Sequence, residues 1–174
     1  WSEVRSFTSA HPPGVPVLVS PANNALTTDY TPRLDWGNSA VPAGTAFSHY
    51  QIQVATDNAF TALIVEENIS DLLSSEFTPM IDLEPNVKHY WRVRAFNTDG
   101  QYSLWSAVFN FRTAILPPTL LLPDEGITQL MTRPTFDWDN VSGASSYTIQ
   151  IAISSSFAAP VASVVVTPST YTAT

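Results

Sequence analysis

Apolar and polar residues alternate with a period of two along most of this chain. Tyr50, Ile52 and Val54 are interleaved with Gln51 and Gln53, the pattern of a strand with one face buried and one wet. Leu34 and Trp36 flank Asp35 in the same way. Trp91, Val93 and Ala95 alternate with Arg92 and Arg94, so the arginines are expected to face water. Val108, Asn110 and Arg112 alternate with Phe109, Phe111 and Thr113, which predicts another strand. Val15 to Ser20 and Glu76 to Pro79 predict shorter strands near sheet edges, because proline lies in each and cannot donate to a ladder. Turn residues punctuate the runs at Pro21-Ala22-Asn23-Asn24, Thr56-Asp57-Asn58 and Asn97-Thr98-Asp99-Gly100. Asp71-Leu72-Leu73 is the one short stretch that suggests a helical turn. Short strands at roughly 8–12-residue spacing predict an all-β fold, a two-sheet antiparallel sandwich.

The pattern then returns. Pro21 and Pro32-Arg33-Leu34-Asp35-Trp36 reappear 102 positions later as Pro123 and Pro134-Thr135-Phe136-Asp137-Trp138. Tyr50-Gln51-Ile52-Gln53-Val54-Ala55 reappears as Tyr147-Thr148-Ile149-Gln150-Ile151-Ala152. Trp1-Ser2-Glu3-Val4 with Phe7 matches Trp105-Ser106-Ala107-Val108 with Phe111. A period of about 100 residues is the size of a domain, too long for a solenoid unit that cannot close its own core. The expected organisation is therefore the last strand of one copy at 1–10, a complete domain at 11–114 and the first strands of a further copy at 115–174. On this reading the chain is an excerpt of a longer polypeptide, with any export signal upstream of it, and an intact mass near 19 kDa would contradict that. Ala10-His11-Pro12-Pro13 and Ala114-Ile115-Leu116-Pro117-Pro118 form the joints, and paired prolines favour an extended linker and a semi-rigid rod of modules. The last copy would expose open edges and core. A neighbouring chain's Trp1–Ala10 strand is one candidate to fill a gap by strand addition, though it offers no equivalent of the Trp91 strand.

Composition narrows the function. Apolar residues make up 44 % of the chain and aromatics 11 %, enough for a packed core. A net charge of −8 argues against nucleic acid and against an anionic membrane surface, both of which need a basic footprint. No apolar run approaches the ~18–20 residues of a membrane span, so no membrane insertion is expected in this segment. With no cysteine there is no disulfide framework, thiolate metal site or thiol nucleophile. Only one lysine, Lys88, is present, and a surface made soluble by hydroxyls and amides suits an extracellular or cell-surface protein.

Several stations in order resemble the fibronectin type III superfamily, in the divergent form of large exported bacterial proteins. Pro32-x-Leu34-x-Trp36 resembles its second strand with a buried tryptophan, and Tyr50-x-Ile52-x-Val54-Ala55 its third. Leu83-x-Pro85 followed by Tyr90-Trp91-Arg92-Val93-Arg94-Ala95 resembles the sixth, and Trp105-Ser106 with Phe111-x-Thr113 the last. The resemblance implies a structural core of Trp36, Tyr50, Trp91, Trp105, Trp138 and Tyr147. One departure stands out, for the family's corner tyrosine is replaced by His89, followed by Tyr90. Either His89 makes the corner bond through a ring nitrogen or Tyr90 rearranges to do so.

Candidate chemistry is sparse. Asp35, Asp137 and Asp139 sit beside core tryptophans, where calcium ligation competes with plain solvent-facing positions, and no D-x-D-x-D-G loop supports the metal. His11, His49 and His89 are far apart in the chain and fit no metal-ligand spacing, and no nucleophile elbow or phosphate loop occurs. No catalytic, cofactor or metal site is expected. Tyr90, Tyr102 and Trp105 are candidates for stacking a sugar ring, weighed against Trp105 packing on the module's own edge. Asn68-Ile69-Ser70 and Asn140-Val141-Ser142 match the N-glycosylation sequon. The expected function is a non-catalytic spacer of a long extracellular repeat protein such as a stalk, adhesin or fibre. Its expected partners are neighbouring repeats and other copies in an assembly. The alternative is an accessory or carbohydrate-binding region of a secreted multidomain enzyme that degrades polysaccharide.

Overall fold

A computed structural model describes residues 1–6, 11–71 and 74–174. The chain is all-β and divides between Ala114 and Ile115 into two compact units.

The first unit contains β1 (Val17–Ser20), β2 (Ala25–Thr27), β3 (Leu34–Gly37), β4 (Phe47–Ala55), β5 (Leu63–Ile69), β6 (Glu76–Phe77), β7 (Lys88–Asn97) and β8 (Phe109–Thr113). Two sheets result, in the orders β1-β3-β6 and β2-β8-β7-β4-β5. All pairs are antiparallel except β2 with β8. The alternation in the chain maps onto the two faces. Leu34 and Trp36 point inward from one sheet, and Tyr50, Ile52, Val54, Trp91, Val93, Ala95 and Phe111 from the other. Trp36 meets Tyr50 edge to face at 5.4 Å, and the Tyr50 hydroxyl accepts the Ser39 N–H at 2.8 Å. Sealing such rings contributes about 25 cal/mol per Å² of apolar surface withdrawn from water, so this layer dominates the unit's stability.

Three expectations need adjusting. Trp105 is not a core residue: it is half-buried and lies against Arg92 and Arg94 on the side of β7 away from the core. The predicted strand around Val108 starts one residue later, at Phe109, and Val15 and Pro16 stay outside β1. Neither His89 nor Tyr90 supplies a strong corner bond. His89 is buried against Phe111, with Nε2 3.5 Å from the Glu84 carbonyl, too long for a firm hydrogen bond. Thr113 holds the corner instead. Its hydroxyl donates to that carbonyl at 2.5 Å and accepts the Val87 N–H at 3.2 Å. Residues 1–6 carry no strand and are exposed; the rest of the expected opening strand, and Leu72-Leu73 of the suggested helical turn, lie outside the described residues.

The second unit contains β9 (Leu120–Leu122), β10 (Thr135–Trp138), β11 (Tyr147–Ile151), β12 (Ala162–Val166) and β13 (Thr170–Thr172). Its sheets run β13-β10-β9 and β11-β12. Trp138 is buried and meets Tyr147 edge to face at 5.5 Å. The Tyr147 hydroxyl accepts the Val141 N–H at 2.9 Å, which repeats the Tyr50–Ser39 bond of the first unit. Tyr147 itself is only half-buried.

Candidate functional site

The richest cluster of polar and aromatic groups lies on the outer face of β4, β5 and β7. Strand alternation turns Gln51 and Gln53 of β4 outward, opposite Arg94 and Arg92 of β7. Arg92 donates through Nε and Nη2 to the Gln53 side-chain oxygen, at 2.9 and 2.7 Å. Arg94 Nε donates to the Gln51 side-chain oxygen at 2.8 Å. Both glutamine amides then donate to Glu66 Oε1 on β5, at 3.0 and 2.7 Å. The carboxylate is linked to the two guanidiniums through amides rather than by direct ion pairs. Burial lowers the Arg92 pKa from the usual arginine range, and the like charge of Arg94 adds to this.

Aromatic rings interleave with the guanidiniums. Arg92 lies 4.0 Å from the Phe60 ring centre and 4.2 Å from that of Trp105. Arg94 lies 4.5 Å from Trp105, 4.6 Å from Tyr102 and 4.9 Å from Phe96, and Phe96 stacks on His49 at 4.4 Å. Both guanidiniums therefore lie over the Trp105 ring. Each guanidinium–ring contact contributes about 0.5–1 kcal/mol at an exposed site and more when desolvated.

The rings come from segments that hold them by local chemistry. Residues 102–106 run beside β7 with a period of three. Ser103 and Ser106 hydroxyls accept the Ala95 and Val93 N–H groups at 3.1 and 3.0 Å, while Tyr102 and Trp105 turn to the arginines. The aromatic-serine pairs Tyr102-Ser103 and Trp105-Ser106, three residues apart, carry that signal in the sequence. Phe60 is delivered by a turn in which Asp57 accepts the Ala59, Thr61 and Ala62 N–H groups, so that Phe60 adopts φ 58°. Those bonds, that of Ala62 above all, hold the Asp57 carboxyl below its ordinary pKa.

The remaining candidates do not converge. Tyr90 is half-buried on the outer face and Tyr102 is exposed, while Trp105 is half-buried and lies against both guanidiniums. Asn68 and Asn140 are exposed. Asp35 pairs with Arg33 at 3.5 Å, and Arg33 also reaches Glu76 at 3.1 Å. His49 stands on the outer face and His89 inside, and burial lowers the pKa of both. Among the described residues no group of three or more His, Asp or Glu side chains is arranged to hold a metal ion. No helix among them is long and apolar enough to cross a membrane. A cleft of about 320 Å³ opens between β5 and the Ile81–Glu84 segment, with Ile64, Leu83 and His89 among its walls.

Residues 17–117, more than half of the chain, match the family described as Rha78A-like, N-terminal immunoglobulin domain. The chain belongs to this family. The match spans an immunoglobulin-type domain. No curated protein matches the sequence. Among solved structures it is similar to an α-L-rhamnosidase from Dictyoglumus thermophilum, with TM-score 0.47 and 16 % identity over 81 % of this chain and 18 % of that one. It is also similar to a β-1,2-glucanase from Parabacteroides distasonis, with TM-score 0.41 and 19 % identity over 64 % of this chain and 14 % of the other. The FN1–FN3 domains of chicken CNTN1 align over 98 % of this chain and 59 % of theirs, with TM-score 0.42 and 17 % identity. The chain thus spans less than a fifth of either enzyme's length.

Proposed function

We propose that this chain is a non-catalytic accessory module of a secreted, multidomain carbohydrate-active protein, working through contact with neighbouring domains. The membership in an N-terminal immunoglobulin-domain family favours this reading over a stalk or fibre. One structural observation carries it. The aromatic and cationic groups of the outer face are committed to one another, above all Trp105 with Arg92 and Arg94. A sugar-binding platform needs an aromatic face open to a pyranose ring, and the Arg92 and Arg94 guanidiniums compete for that of Trp105. The ladder instead fastens the segment 102–106 and the Asp57 turn to β7, stiffening the unit.

Affinity electrophoresis of the 174-residue chain through gels cast with neutral and acidic polysaccharides tests this. The expected result is migration unaffected by the polysaccharide. Retardation that disappears in Tyr102→Ala would replace the accessory reading with direct sugar binding. The sequence flanking the chain separates the remaining readings: a catalytic domain supports the accessory role, and a long run of further copies supports the stalk.

A further inference from the structure

The cleft between β5 and the segment Ile81–Glu84 lies apart from the outer-face ladder, and the accessory role makes no use of it. Its volume is about 320 Å³, at the small end of the range for ligand sites. β5 is the edge of its sheet, so no further strand closes the space beside it. Ile64 and Ile81 are exposed there and Leu83 is buried, which gives the cleft apolar walls. The Leu83 N–H donates to the Tyr30 carbonyl at 2.8 Å and pins the segment. Asp82 and Glu84 on either side of Leu83 stay exposed, and both line the opening.

His89 forms the inner wall. It is 1 % exposed, and its Nδ1 has no hydrogen-bond partner among the protein's own groups. The other ring nitrogen faces the Glu84 carbonyl, which can only accept, so the ring proton belongs on Nε2 and Nδ1 presents a lone pair. A buried acceptor without a donor carries a desolvation cost. Burial, partly offset by the carbonyl and carboxylate of Glu84, lowers the His89 pKa, so a neutral imidazole adds no repulsion to a cation. The polar chemistry of the cleft is therefore one-sided. Two carboxylates and an imidazole lone pair accept, the Thr56 hydroxyl can accept as well, and among the described residues no lysine or arginine lines the space.

We propose that this cleft binds a small organic ammonium ion, an amine carried on an aryl or alkyl body. The body replaces water against Ile64, Ile81 and Leu83. The ammonium is held by the Asp82 and Glu84 carboxylates, with an N–H left for His89 Nδ1. Its three donors and lack of any acceptor match three accepting groups. An organic anion meets two like charges, and a neutral sugar leaves its own acceptors unpaired. The proposal does not rest on the accessory role.

The test titrates phenethylamine hydrochloride into the isotope-labelled 174-residue chain and follows NMR shifts. The expected result is saturable movement of the Ile64, Ile81 and Leu83 amides and of the His89 ring nitrogens, and none with hydrocinnamate, which has the same body and the opposite charge. Asp82→Asn and Glu84→Gln each weaken binding roughly two- to five-fold, as loss of an exposed ion pair does. Ile64→Lys, which brings its own ammonium to the cleft, abolishes binding. All three positions are exposed, and an otherwise unchanged spectrum verifies that each variant is folded. No movement at these residues up to about 10 mM amine overturns the proposal. So does equal binding of hydrocinnamate, which would mark a plain apolar groove. Tighter binding of Nα-acetyl-lysine amide than of phenethylamine also overturns it, by marking a partner protein's lysine as the occupant.

Discussion

Leu18 and Leu120 occupy equivalent strands with equivalent neighbours, and one is sealed while the other is exposed. The same contrast separates Tyr50, wholly buried, from Tyr147, half-buried, although each meets its tryptophan edge to face and each hydroxyl accepts a backbone N–H. The two units differ in that β7 and β8 cover one face in the first, and among the described residues the second has no strand in their place. Local features such as hairpin register, the tryptophan–tyrosine contact and the left-handed phenylalanine turn form in both. Burial does not. The lesson is that the strand pattern sets orientation, while the hydrophobic gain waits for the covering layer.

The largest test of this contrast is Trp91→Ala. Removing a sealed indole costs about 3–5 kcal/mol, against the ~5–15 kcal/mol that holds a domain together. The first unit should lose on the order of 20 °C in melting temperature by calorimetry, with much of it unfolded at 37 °C. A cooperative melt within a few degrees of the parent sinks the assignment of Trp91 as core. Leu18→Ala and Leu120→Ala form the matched pair. The first should cost roughly 2–5 kcal/mol in urea denaturation, and the second should stay within about 0.5 kcal/mol. Equal losses would erase the distinction between the units.

Acidification should act on the first unit selectively, since all three histidines lie in it. Burial lowers the His89 pKa below its ordinary value of 6.5, so the unfolded chain binds the proton more readily than the folded one. That contribution to stability is fully present above pH 6.5 and is lost progressively as pH falls through 6.5 toward the folded value. His49 shifts in the same direction and adds to it. Melting of the first unit followed from pH 7.5 down to 5 should show the decline, reduced in His89→Leu; a flat profile would contradict a neutral buried imidazole. The smallest effect belongs to the ladder. Arg94→Lys keeps the charge but loses the planar stacking on Trp105 and Tyr102, worth about 0.5–1 kcal/mol by denaturation. No measurable change would mean that the rings, not the guanidiniums, hold the segment.

Much of the sandwich was legible in the chain. The runs at Leu34–Trp36, Tyr50–Val54, Trp91–Ala95 and Phe109–Thr113 became strands with the expected residues facing in. β5 escaped because it is an edge strand: only Val65 and Ile69 turn partly inward, and Leu-Ile-Val-Glu-Glu-Asn-Ile shows no alternation. β2 escaped because three residues acquire strand geometry from β8, more than 80 positions away. Trp105 was placed in the core by the resemblance, whereas its segment follows a period of three set by serine hydroxyls that accept from β7.

From the chain itself came the repeat and, as a consequence of side-chain direction along an extended backbone, the strand alternation. Only the tertiary structure decided that Thr113 rather than His89 closes the corner, that two arginines lie over Trp105, and that Leu120 is exposed where Leu18 is buried. Those outcomes depend on which distant strand arrives at a face, and periodicity carries no record of it.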